Sequence, residues 1–276
     1  MCLIAFALNT RPDWPLLIAA NRDEFFDRPT APLHRWRLDD GTEVLGGRDL
    51  RDGGTWMGIG MQGRIAMLTN VRHAQAERGR RSRGELVARW LQGAFDADGL
   101  CAAIDPAAYA GFNLVVGDLR TRSWAWIGNR DPAKPHAPQA PRLHSRRIGA
   151  GVHTVSNASL DTPWPKTRRL SAALQTALAG LDEADAWQAP LTASLADTRL
   201  AELHELPATG VPADVEHALS SPFVRVPQRA YGTRSSTLLR CHADGRVQVD
   251  EWTHEPGGHQ PRFAPPTRRS DWLTVP

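Results

Sequence analysis

The second residue is a cysteine, and it opens an apolar run, Met1-Cys2-Leu3-Ile4-Ala5-Phe6. Loss of Met1 would put a thiol and a free α-amine on one residue. The amine, titrating at about 7.7–8.0, is a built-in general base, and a thiolate is a stronger nucleophile than any hydroxyl. Other residues have the types that such chemistry needs. Asn21-Arg22-Asp23-Glu24 follows a second apolar run. A hairpin turn centred between Pro12 and Asp13 would set Cys2 opposite Asp23, with Arg22 and Glu24 flanking it. A neighbouring guanidinium lowers a thiol pKa, and a carboxylate can hold an amine. Two further runs end in asparagine, Leu68-Thr69-Asn70 and Thr154-Val155-Ser156-Asn157. Amide or backbone N–H groups at a strand end suit an oxyanion. In Tyr231-Gly232-Thr233-Arg234-Ser235-Ser236-Thr237, Arg234 follows a flexible glycine and could position a substrate carboxylate or tune the thiolate.

The elements that must hold these groups are mostly strands. Residues 3–9 and 16–23 predict one hairpin, with turn chemistry at 10–15; residues 55–60 and 64–70 predict a second. Gly46-Gly47 and Gly53-Gly54 are expected to bracket a loop. The capping-box pattern Ser82-x-x-Glu85 predicts a helix with Leu86, Val87, Trp90, Leu91 and Phe95 on its apolar face. Strands are expected at 112–119 and 123–128, then a strand ending at Asn157. A helix from about Pro163 to Gly180 and a helical stretch near 190–197 follow. Residues 206–231 read as long loops, 234–241 and 247–253 as a last hairpin, and the Pro- and Gly-rich tail from about 256 as poorly ordered. Clustered hairpins with a few interposed helices predict an α+β fold, as a single domain over 1–276.

Composition narrows the function classes. With 276 residues, 41% hydrophobic and 23% charged, the chain can bury a sizeable core. No apolar run reaches the roughly 20 residues of a membrane helix, and no signal-peptide pattern is read. Three cysteines at unrelated spacings, Cys2, Cys101 and Cys241, argue against a disulfide framework and predict a cytoplasmic protein. The net charge of +3 is too small and too dispersed to predict a nucleic-acid partner. The arginine-rich residues 72–83 read as a solvated loop able to attract an anion. Gly58-Ile59-Gly60-Met61-Gln62-Gly63 has the spacing of a dinucleotide fingerprint, but an apolar strand follows it where a helix is required, so it reads as a hairpin turn. His254-Glu255 and His259 have the wrong spacing for a zinc-binding helix, and no metal site is expected.

The residues also resemble a family. Met1-Cys2, Ala20-Asn21-Arg22-Asp23-Glu24-Phe25 and Gly53-Gly54-Thr55-Trp56-Met57-Gly58 are followed by Leu68-Thr69-Asn70, Arg83-Gly84-Glu85-Leu86 and Gly111-Phe112-Asn113-Leu114. Gly128-Asn129-Arg130, Ser156-Asn157-Ala158, Thr162-Pro163-Trp164-Pro165-Lys166 and Tyr231-Gly232-Thr233-Arg234 complete the series. Together they are similar to the NRDE family, also called the Transport and Golgi organisation protein 2 family. That resemblance implies an N-terminal nucleophile hydrolase fold, a four-layer αββα sandwich. It also implies kinship with cysteine amidases such as the choloylglycine hydrolases and penicillin V acylase. By the same resemblance Cys2 is the nucleophile, Arg22 and Asp23 support it, Asn70 and Asn157 form the oxyanion hole and Arg234 completes the catalytic set. Asn21, Glu24 and Trp56 are expected on the substrate side. In those amidases the Arg and Asp stand three apart, whereas Arg22 and Asp23 are adjacent, which leaves open which of residues 21–24 holds the amine. The implied activity is hydrolysis of small acyl-amide or peptide-like substrates without a cofactor. The alternative is a non-catalytic haem-binding or haem-trafficking protein on the same scaffold.

Overall fold

The computed structural model describes residues 2–74, 79–183, 186–255 and 268–275. The chain divides into two compact units. The first comprises Met1–Asp27, Ala150–Ser156 and Asp161–Trp272; the second comprises Arg28–Gly149, Asn157–Leu160 and Leu273–Pro276.

Strands of the first unit are β1 (Cys2–Leu8), β2 (Leu16–Phe25), β10 (Gly151–Val155), β11 (Arg225–Val226), β12 (Tyr231–Cys241), β13 (Arg246–Thr253) and β14 (Arg268–Thr274). They form a seven-stranded sheet in the order β10-β1-β2-β12-β13-β14, with β11 beside β12. Its helices are α3 (Pro165–Ala179), α4 (Gln188–Leu195) and α5 (Ala213–Ala218). Alternate residues of a strand point to opposite faces. Leu3, Ala5 and Ala7 of β1, with Leu17 and Ala19 of β2, pack against Leu170, Leu174 and Ala177 of α3 and Leu191 and Leu195 of α4. The even-numbered residues of β1, Cys2 among them, therefore belong to the face away from these helices.

The second unit holds β3 (Thr30–Arg37), β4 (Glu43–Asp49), β5 (Met57–Gly60), β6 (Arg64–Asn70), β7 (Phe112–Asp118), β8 (Ser123–Gly128) and β9 (His144–Arg147). These strands are hydrogen-bonded in chain order, antiparallel throughout. Its helices are α1 (Gly84–Leu91) and α2 (Ala97–Ala102). Leu86, Val87, Trp90 and Leu91 of α1 bury against Ala66, Leu68, Leu114 and Val116 of the sheet. The class is α+β, with one sheet layer and one helix layer in each unit. Among the described residues no helix is long and apolar enough to cross a membrane.

Several expectations are corrected. The first hairpin is centred one half-step earlier: Asn9, at φ 49, turns the chain and donates its N–H to Pro15 O at 2.9 Å. Leu8 then pairs with Leu16, and Cys2 stands opposite Arg22, not Asp23. Gly46-Gly47 lies inside β4, where a Cβ on Gly47 would meet the Trp56 ring at 2.3 Å. The close approach of that indole, not a loop, requires the glycine. Ser82 does not cap α1, which starts at Gly84 without a side-chain cap. Glu85 is engaged elsewhere, accepting from the Tyr109 hydroxyl and pairing with Arg81 at 2.7 Å. Residues 206–231 contain α5 and β11 rather than loops alone. Of the tail, 256–267 and with them His259 lie outside the described residues, but 268–274 is a strand, held where Arg268 and Ser270 hydrogen-bond the buried Asp250. The arginine-rich stretch is not uniformly solvated, since Arg72 is buried; its residues 75–78 lie outside the described residues.

Candidate active site

Cys2 is the first residue of β1 and is 8% exposed. Its backbone is pinned, because the Ser156 hydroxyl donates to Cys2 O at 2.9 Å. Across the sheet Cys2 pairs with Arg22, Arg22 with Ser235, and Ser235 with Thr253. Residues directly opposite in an antiparallel sheet share a face, so these side chains form one row.

Residues 21–24 split between the two faces. Asn21 lies on the helix side, donating from Nδ2 to Leu195 O at 2.9 Å and to Pro222 O at 3.0 Å. Carbonyl oxygens only accept, so the amide orientation is fixed and Oδ1 is free to accept from Ser236 Oγ, at 2.5 Å. The Ser236 proton is then spent, and His254 Nε2, 2.9 Å away, is the donor to Ser236 Oγ. Burial lowers the His254 pKa to about 4, so the ring is neutral with its proton on Nε2. Asp23 faces the same way, accepting from Thr233 Oγ1 at 2.7 Å. Thr233 Oγ1 in turn accepts from the Val224 N–H at 2.8 Å. Arg22 and Glu24 occupy the other face with Cys2, separated by 3.8 Å between Nη2 and Oε2. Asp23 is therefore not the cross-strand partner of the thiol; Arg22 is.

A β-bulge completes this face. Thr233 pairs with Asp23 and Ser235 with Arg22, which leaves Arg234 as the extra residue. Thr233 and Ser236 both contact the helix-side residues of β2, although three positions apart. Regular alternation forbids that, and the bulge absorbs the difference by placing Arg234 and Ser235 together on the Cys2 face. Arg234 Nη1 donates to Phe25 O at 2.9 Å and Phe26 O at 3.2 Å. Gly232 is an ordinary strand residue and not a hinge; a Cβ there would stand 2.8 Å from Val224 O. Ser235 is 7% exposed, and its hydroxyl has no hydrogen-bond partner among the described residues. Such a buried group costs about 1–3 kcal/mol.

Burial pushes the Cys2 thiol above its ordinary value. The amino-terminal charge and Arg22 pull against that, while Asp23 and Glu24 add to it. The thiol is thus neutral near pH 7 and needs a base. Burial also lowers Arg234, as does the nearby Arg22 charge, against Glu24 and Asp27.

The second unit gathers the asparagines. Asn157 is fully buried, and its Nδ2 donates to Asn70 Oδ1 at 3.0 Å and Asn70 O at 3.2 Å. Its Oδ1 faces Arg72 Nη2 at 3.4 Å, and its O accepts from the Arg72 N–H at 2.8 Å. The Asn157 amide nitrogen therefore donates to Asn70. That contact fixes the Asn70 amide with Oδ1 accepting and Nδ2 as its donor end. Trp56 stacks over Gly47 of β4, a packing role for a residue expected at the substrate.

Sequence reasoning missed Ser156 as the clamp on Cys2, Ser235 as part of the thiol's row, and the Asn21–Ser236–His254 chain. Ser235 was within reach of the sequence, one residue after Arg234, but regular alternation assigns the two to opposite faces.

Comparison with known proteins places these features in a family. A family profile described as "Transport and Golgi organisation 2" matches residues 1–256. The chain is 33% identical over 273 residues to the Transport and Golgi organization protein 2 homolog of Bos taurus, covering 91% of this chain and 92% of the relative. The Homo sapiens homolog is also 33% identical, over 271 residues with the same coverages. The Drosophila melanogaster protein is 26% identical, covering 92% of each. Among solved structures, the Caenorhabditis elegans N-acylethanolamine-hydrolyzing acid amidase ortholog superimposes with a TM-score of 0.46 at 13% identity, over 86% of this chain and 92% of that one. A mutant conjugated bile acid hydrolase from Clostridium perfringens gives 0.46 at 10% identity, over 100% and 92%.

Proposed function

We propose that this chain, which belongs to the Transport and Golgi organisation 2 family, is an N-terminal cysteine amidohydrolase acting on small acyl-amide or peptide-like substrates. The observation that carries the reading is the row through Cys2. A buried thiol on a pinned backbone stands opposite Arg22, on the sheet face that also holds Glu24 and Arg234.

Removal of Met1 frees the α-amine of Cys2. The amine takes the S–H proton as sulfur attacks the substrate carbonyl carbon, and a tetrahedral oxyanion forms. The resemblance gives the oxyanion to Asn70 and Asn157, and of these two Asn157 donates its amide to Asn70. Collapse breaks the C–N bond, and the proton passes from the ammonium to the leaving nitrogen. Water then attacks the thioester, the amine again serving as base, and the acid and the free thiol are released. Because burial raises the thiol, proton transfer must accompany attack, which is the task of a base on the same residue. Glu24, on the Cys2 face, is better placed than Asn21 or Asp23 to meet the ammonium, since those two are engaged on the helix side.

Intact mass after incubation with candidate amides tests both halves of the reading. The expected result is a chain lacking Met1 that carries an acyl adduct on Cys2. Retention of Met1 in an active preparation would sink the mechanism. The haem-carrying alternative rests on resemblance, and His254, close to the site, is buried with Nε2 committed to Ser236. A Soret shift on haem titration, abolished by Cys2→Ala, would favour that alternative instead.

A further inference from the structure

A cleft of about 540 Å³ opens in the second unit, lined by the turn between β7 and β8, by β8 and β9, and by the start of α2. It contains no residue of the row through Cys2. Its floor is apolar, with Trp90, Val116 and Ala125 all buried. Arg147 is paired with Ala125 between β9 and β8, so the two share a face. Ala125 packs into the core with α1, which makes that face the helix side and sets Arg147 over the cleft. Arg122 joins it from the turn, where it holds the left-handed conformation at φ 50. Glycine adopts that conformation freely, whereas a residue with a Cβ does so at a steric cost. A backbone cost carried by a long cationic side chain is a sign that the side chain has work to do. Asp98, in the first turn of α2, brings the opposite charge. The side chains of Arg122, Arg147 and Asp98 make no hydrogen bond or ion pair among the described residues, although all three line one cleft. Asp96, beside them, has one carboxylate oxygen on the Gly99 N–H at 2.7 Å. Cations on the strand side and a carboxylate on the helix side thus stand too far apart to satisfy each other, with an apolar floor between.

We propose that this cleft binds a small zwitterion with an apolar body, the chemistry of a short peptide with free ends. Arg122 and Arg147 take the terminal carboxylate, Asp98 takes the terminal ammonium, and the apolar side chain lies on Trp90, Val116 and Ala125. Charge-assisted hydrogen bonds at both ends fix the length and direction of the guest, since a ligand charged at one end leaves one wall unpaired. The volume is in the ordinary range for a small-molecule site and suits a dipeptide. The site stands apart from the hydrolase reading and does not depend on it.

Isothermal titration calorimetry of the full chain tests this with the dipeptide alanylleucine, its N-acetylated form and its C-amidated form. The free dipeptide should bind, and blocking either end should weaken binding about tenfold. Arg122→Gly should cut the penalty of amidation from about tenfold to about threefold, because one of two guanidinium groups is gone. Its melting midpoint should hold or rise, since glycine is unstrained at φ 50. Asp98→Asn should likewise reduce the penalty of acetylation while leaving that of amidation in place. Cys2→Ala should leave all of these affinities unchanged. Absence of saturable binding, an affinity left intact by either blocking group, or penalties unmoved in both Arg122→Gly and Asp98→Asn would overturn the inference. Binding that is lost in Cys2→Ala would place the dipeptide on the Cys2 face instead, removing the cleft as its site and leaving the hydrolase reading standing.

Discussion

Alternate residues at the end of β2 do opposite work. Asn21 and Asp23 face the helices and are bound by Leu195 O, Pro222 O, Ser236 and Thr233. Arg22 and Glu24 face the other way, toward Cys2, and stand 3.8 Å apart. One face closes a buried polar network that holds α4 and β12 to the strand; the other presents charges to a thiol. A strand's two-residue period lets one tetrapeptide be both scaffold and reagent. Each face should therefore fail in its own way when altered.

The largest expected effect lies on the Cys2 face. Cys2→Ala should lower amide turnover at least ~10³-fold, since a nucleophile has no substitute. Stability should fall by only about 1 kcal/mol, as a small buried side chain is shortened by one atom. Turnover assays paired with urea melts check both numbers. A variant that keeps turnover would remove Cys2 from the chemistry.

On the helix face the balance should invert. Asn21→Ala strands two backbone carbonyls and the Ser236 hydroxyl in the interior, at a cost on the order of 4 kcal/mol. The rate of Cys2 alkylation per folded molecule should move by less than about twofold, because the register that sets Arg22 opposite Cys2 is backbone pairing. Loss of alkylation without loss of stability would show that the two faces are not separable.

This division explains what was legible in the sequence. Cys2, residues 21–24, Asn70, Asn157 and Arg234 could be named because their types stand at the ends of apolar runs, and a run shows as periodicity in the chain. Their sides could not be assigned. Placing the turn between Pro12 and Asp13 rather than on Pro12 exchanges Asp23 for Arg22 opposite the thiol, since a half-step of centring is a full residue of register. The left-handed Asn9 and its bond to Pro15 decided the matter, and neither has a distinctive spelling. The bulge at Arg234 was hidden for a related reason: it depends on partners more than 200 positions away, Thr233 on Asp23 and Ser236 on Asn21. Strand β4 was missed because Gly46 and Gly47, which spell a loop locally, are demanded by the close approach of Met57 O and of the Trp56 ring.

The buried network also carries a pH signature on the acid side. His254 titrates at about 4 in the folded chain, against about 6.5 unfolded. Between those values the unfolded chain binds the extra proton, so stability falls as pH drops from about 6.5 toward 4, by about 3 kcal/mol in total. His254→Gln can keep a donor toward Ser236 and has no charge to gain, so its stability should be flatter over that window. Urea midpoints at pH 7 and pH 4.5 measure the difference. Equal slopes in the two proteins would mean that His254 is not the group being charged.

Glu24→Gln should have the smallest effect on stability, and it probes the boundary of the comparison. The Glu24 side chain is 25% exposed, and solvent-screened ion pairs contribute little, so neutralising it should cost less than about 0.5 kcal/mol. Its charge nevertheless raises the Cys2 thiol. Neutralising it should favour the thiolate and speed alkylation by iodoacetamide at pH 8 about twofold. If Glu24 also holds the α-amine, amide turnover should fall while alkylation rises, because the base loses its anchor as the thiol gains acidity. Opposite movement of those two rates would separate the two roles of one carboxylate. A fall in stability with both rates unchanged would instead assign Glu24 to the scaffold beside Asn21 and Asp23.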